Sequence, residues 1–121
     1  MLNLLPALAL AAAPAPSIGP VPAQDAGLTL QQQAGLRCAA AFAIVQRDRN
    51  AGTAAHPGYP DMEVRGKEFF VRTGAQLMDE LGIDRGRVQA LILAEVAALD
   101  ASRSLEDVRP GCLLLLDASG L

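Results

Sequence analysis

The chain has no tryptophan, one tyrosine, three phenylalanines, one histidine and two cysteines in 121 residues. Each scarcity removes a class of function. His56 has no second imidazole to work with and lies in a Pro/Gly loop beside Tyr59, where a solvated side chain is expected rather than a general base. Two distant cysteines and one histidine fall short of the four ligands a structural zinc takes, so no metal site and no cofactor is expected. Basic residues number ten against thirteen acidic ones, for a formal charge of −3. The basic side chains are scattered from Arg37 to Arg109 among carboxylates. Neither a nucleic acid nor an anionic lipid surface is therefore an expected partner, because both need a concentrated basic face. β-Branched and aromatic residues are few and no stretch alternates polar with apolar, which argues against a sheet.

The most pronounced feature present is an apolar, alanine-rich leader. Leu2, Leu4, Leu5 and Ala7 to Ala13 form a run of about ten residues, the length of a signal-peptide hydrophobic region and too short to cross a bilayer. Pro14, Pro16, Pro20 and Pro22 break any longer span. Val21 and Ala23 suit the positions a signal peptidase reads, with cleavage before Gln24. No Lys or Arg precedes Arg37, so only the amino terminus lends the leader positive charge. The expectation is a signal peptide over residues 1–23, a single helical domain over 24–121, a periplasmic or secreted location, and no membrane span once the leader is cut. The remaining chain of roughly 100 residues makes one domain, small enough for a covalent brace to matter. In an exported chain Cys38 and Cys112 are most simply a disulfide. Two buried free thiols or a metal-binding pair are the alternatives.

Periodicity predicts a first helix from Leu30 to Asp48, with Leu30, Ala34, Cys38, Ala41, Phe42, Ile44 and Val45 on one arc. A loop rich in Gly and Pro follows, from Asn50 to Pro60. Asp61 is the expected cap of a second helix reaching Leu81, with Phe70, Thr73, Gly74, Leu77, Met78 and Leu81 facing inward. Leu81-Gly82-Ile83-Asp84 reads as a helix stop, a staple residue and the next cap in succession, hence a tight helical hairpin. The third helix runs from Arg85 to about Ala101. Ser104 and Asp107 match a capping box for a short turn, and a last helix is expected from Pro110 to about Ser119. Leu113 to Leu116 make that last helix apolar all round, which predicts that it is central. The fold class expected is all-α, a small four-helix bundle braced by one disulfide between the first and last helix.

The segment from Arg65 to Glu80, RGKEFFVRTGAQLMDE, resembles a stretch of small exported all-α proteins of unassigned function from GC-rich Gram-negative bacteria. The resemblance implies a compartment and an architecture, and no activity. In general plan the chain is also similar to the acid-activated periplasmic chaperones of the HdeA type, through the leader, the small helical domain and the cysteine pair.

Candidate functional residues are few. Asp79-Glu80 and Glu106-Asp107 are adjacent pairs whose side chains diverge by about 100° on a helix, unlike the facing carboxylates of a glycosidase. Glu95 falls in the apolar arc of the third helix, where a carboxylate needs a partner, and Arg37 is the expected one, as a buried ion pair or part of a pocket. Phe69, Leu36, Leu93 and Leu114 lie off the main apolar arcs and form a candidate interaction surface. The expected function is a non-enzymatic periplasmic or secreted binding protein with a protein partner, chaperone-like or acting in envelope stress. A small hydrolase using paired carboxylates and a purely structural envelope protein are the alternatives.

Overall fold

The computed structural model describes residues 27–52 and 54–121. The predicted signal peptide and its cleavage site before Gln24 lie outside the described residues. Within them the chain is all-α: α1 (Leu30–Asn50), α2 (Arg65–Leu81), α3 (Arg85–Ser102) and α4 (Leu105–Ala118). No strand occurs among the described residues, and none of their helices is long and apolar enough to cross a membrane.

α1 opens with a capping box that the sequence reading missed. The Thr29 hydroxyl accepts from the Gln32 backbone N–H at 3.0 Å, and the Thr29 N–H donates to the Gln32 side-chain oxygen at 2.9 Å. The helix then becomes the hub of the bundle. It packs against each of the other three helices, whereas α3 and α4 barely touch one another. Ala39, Ala40, Ala41 and Val45 are completely buried, and small side chains on consecutive positions let neighbours approach α1 from more than one side. This corrects the expectation that the last helix is central. In α4 only Leu105, Cys112 and Leu116 are buried, and Leu114 is 71% exposed. Leu30, expected inward, is 84% exposed at the first position of α1.

Two apolar clusters sit on α1. One gathers Phe42, Tyr59, Met62, Phe69, Leu99 and Leu105 around the disulfide; the other joins Leu36 to Leu77, Val88, Leu91 and Ile92. Phe42 holds the first together through edge-on contacts with Phe69, ring centres 5.2 Å apart, and with Tyr59 at 6.4 Å.

The α2–α3 hairpin forms as its four-residue signal dictates. Gly82 takes the left-handed conformation at φ 62°, Ile83 N–H returns to the Met78 carbonyl, and Asp84 accepts from Arg87 N–H at 2.8 Å. Two other boundaries differ from expectation. α2 begins at Arg65, since the Asp61 carboxylate accepts from the Glu63 N–H in a local turn instead of capping a helix. α4 begins at Leu105 and runs through Pro110 without a break. The N–H that Pro110 lacks would have served the Glu106 carbonyl, in an exposed first turn where water can replace it. The Ser104 hydroxyl donates to Ser102 Oγ and caps nothing.

Candidate binding groove beside the disulfide

Cys38 points from α1 toward α4 and is bonded to Cys112, with Cα atoms 5.2 Å apart. Next to this bond the facing residues are small. Ala34 on α1 and Gly111 and Ala118 on α4 leave a groove of about 500 Å³ between the helices. Leu114 stands beside it as an exposed ridge, and Arg37 and Asp107 bring one charge of each sign to its rim. The covalent brace sits in the wall, so the spacing of the two helices is fixed where the groove is formed.

Arg37 reaches from that rim to α3, where its Nε donates to Glu95 Oε1 at 3.1 Å. The Glu95 side chain is 13% exposed and that of Arg37 52%. The carboxylate is thus mostly covered and has a partner, as burial of a charge requires, while half of the guanidinium stays in water.

The other off-arc residues are not brought together. Phe69 is 5% exposed and Leu36 1%, so neither stands out on the surface as an exposed apolar residue. Phe69 is buried because the amino-terminal half of α2 lies over Phe42, and the partly covered member of the pair is Phe70. Leu36 is buried because the α2–α3 hairpin covers a side of α1 that a single apolar arc would leave in solvent. Leu93 is 59% exposed on the outer face of α3 and lines no groove. Of the four residues of that candidate surface, only Leu114 stands beside the groove.

A second cluster fastens the segment 54–62 over the first core. Arg49, at the end of α1, donates to the carbonyls of Ala55, His56, Tyr59 and Pro60 at 2.6–3.1 Å. The Tyr59 hydroxyl donates to the Leu105 carbonyl at 2.6 Å. His56 Nε2 lies 2.6 Å from Asp48 Oδ2 and its Nδ1 4.0 Å from Glu106 Oε1. Arg109 pairs with Glu106 and lies against Gly58, where a Cβ would be 1.8 Å from its Nη1. His56 is therefore a three-quarters covered fastening residue rather than a solvated one. Its hydrogen bond to Asp48, with that from Arg47, holds the Asp48 carboxyl below the usual aspartate range. Burial, with the nearby Glu106 carboxylate, pushes the Tyr59 phenol up to about 12. These carboxylates meet a histidine and arginines, and among the described residues His56 contacts no hydroxyl or thiol that it could activate. The cluster does the work of a clasp. The Pro/Gly loop after an Arg-rich helix end was its only trace in the sequence, since loop carbonyls without secondary structure need donors.

Over the described residues the chain is thus all-α, four helices on one covalent brace. Comparison with protein-family models, with curated proteins and with solved structures finds no match.

Proposed function

We propose that this is a non-enzymatic binding protein of the periplasm or the extracellular space, whose α1–α4 groove takes an exposed apolar segment of another protein in the manner of a chaperone. The observation that carries the reading is the apolar groove itself, with Leu114 71% exposed beside a wall fixed by the Cys38–Cys112 bond. Opposite charges at the rim, Arg37 and Asp107, give no preference for a partner of one sign, so selection rests on apolar character. A disulfide and the absence of a membrane-crossing helix among the described residues are compatible with an exported protein, as are the leader and the resemblance to small exported helical proteins.

The charge balance supports activation by acid. As pH falls the thirteen carboxylates neutralise while ten Lys and Arg side chains stay charged, and their repulsion loosens the helices while the bridge keeps α1 and α4 joined. The test is light scattering from an aggregating client at about pH 2–3 and at neutral pH, with the disulfide-intact protein and with Leu114→Lys. Suppression in acid that Leu114→Lys removes, at unchanged melting temperature, is expected. Equal inactivity of the unaltered protein at both pH values refutes the proposal.

A further inference from the structure

A second depression, of about 370 Å³, lies between the first turn of α1, the middle of α2 and the last turn of α4. That volume falls within the range of small-molecule sites. Its floor is apolar and made by Phe69, Leu77 and Leu115. Thr73, only 7% exposed and the sole buried polar residue among those described, lines it. Its hydroxyl makes no hydrogen bond within the described residues and is not sealed from solvent. Such a hydroxyl is free to hydrogen-bond water or a ligand that enters the depression.

The rim is built from one ridge of α2. Arg72, Gln76 and Glu80 follow one another at four-residue spacing, which sets the backbone positions of an arginine and a glutamate about 12 Å apart along the axis. Neither takes part in an ion pair within the described residues. Arg72 donates one N–H to the Ser119 carbonyl at 2.9 Å and keeps others free; Glu80 accepts from Gln32 at 2.8 Å through one oxygen and keeps the second. The side-chain amides of Gln31 and Gln76 have no protein partner.

We infer that this depression binds a short peptide with free ends, two or three residues long and carrying an apolar side chain, its carboxylate on Arg72 and its ammonium on Glu80. An extended chain advances about 3.3–3.6 Å per residue, so a tripeptide spans about 10 Å, comparable to the rise of α2 from Arg72 to Glu80. A free amino acid holds its charges too close together to reach both, and an inorganic anion would leave Glu80 and the apolar floor unused. The side chain rests on Phe69, Leu77 and Leu115, while Thr73, Gln31 and Gln76 offer hydrogen bonds to the peptide amides.

The experiment titrates the tripeptide alanyl-leucyl-alanine into the disulfide-intact protein, by calorimetry and by amide chemical shifts, beside its N-acetylated and C-amidated forms. Saturable shifts at residues 29–35 and 72–80 are expected. Amidation should weaken binding by about tenfold or more, the scale of a charge-assisted hydrogen bond. Arg72→Gln should weaken the free peptide equally and leave the amidated one unchanged, with Glu80→Gln behaving likewise toward the acetylated form. Thr73→Val should reduce affinity without shifting the melting temperature. Leu114→Lys should leave peptide binding intact, which separates this site from the α1–α4 groove. Blocked peptides binding as well as the free one, acetate binding as well as the peptide, or no binding at all would overturn the inference.

Discussion

Replacing Cys38 and Cys112 together with alanine should cost the fold about 5 kcal/mol. The bond joins residues 74 apart in sequence, and freeing a closed loop of about 75 residues returns about 4.5 kcal/mol of chain entropy to the unfolded state. Both sulfur atoms are buried, Cys38 at 5% and Cys112 at 2% exposure, so their removal adds lost packing of about 1 kcal/mol or less. Against a stability of about 5–15 kcal/mol for a domain of this size, the loss is a large share of the whole. At about 4–8 °C per kcal/mol, the melting temperature should fall by about 20–40 °C. Urea denaturation followed by helical circular dichroism provides the assay. The slope with urea should also rise, because an unfolded chain without the link exposes more surface. A loss below about 1 kcal/mol at unchanged slope would refute the reasoning, showing that packing alone holds α4 and that the link restrains nothing in the unfolded chain.

Three further outcomes follow from local geometry. Tyr59 is the only tyrosine, so tyrosinate absorbance reads it directly, and it should titrate near 12 in the folded protein. With its folded value raised, its contribution is complete below the ordinary phenol range of about 10 and is lost as pH rises through about 12. Asp48 behaves with the opposite sign. Its folded carboxyl is held down by His56 and then Arg47, so the unfolded chain takes up the proton first, and stability present above the ordinary aspartate range is lost as pH falls through the folded value. Asp48→Asn should flatten that acid limb in melting temperature against pH. Arg103 ends α3 in the left-handed conformation at φ 54°, a position that suits glycine, and Arg103→Gly should raise stability by about 1 kcal/mol in chemical denaturation.

The parts of the fold legible in the sequence were those set by neighbours along the chain. Gly82 and Asp84 determine the hairpin through backbone conformation and one cap, and nothing distant could override them. The cysteine pair was legible because the expectation of export, drawn from the apolar leader, leaves few other uses for two cysteines. Helix faces were less so. Projection assigns one apolar arc to each helix, whereas α1 has neighbours on several sides and buries Leu36 and Ala40 away from the arc of Phe42 and Val45. On α2 the same error was smaller. Thr73 and Leu77 face inward as expected, and Gly66 and Phe69 join them because the helix begins by crossing the aromatic core. Of the candidate site, the pairing of Arg37 with Glu95 was inferable from a carboxylate on an apolar arc. The grooves depend on small residues facing each other across helices, such as Ala34 with Gly111 and Ala118, and hydropathy does not register small residues.

The three alanines at 39–41, each without exposed surface, also set how this chain can vary in evolution. A methylene added at any of them meets a packed neighbour, and overpacking costs about 1–3 kcal/mol, so in any set of related sequences these positions should stay with Ala, Gly or Ser. Leu30, Val64, Val71 and Leu93, being exposed, should drift freely. The middle of α1 is then the part of the protein by which distant relatives would be recognised, and an alanine-rich stretch of so little chemical character offers a sequence search very little to hold.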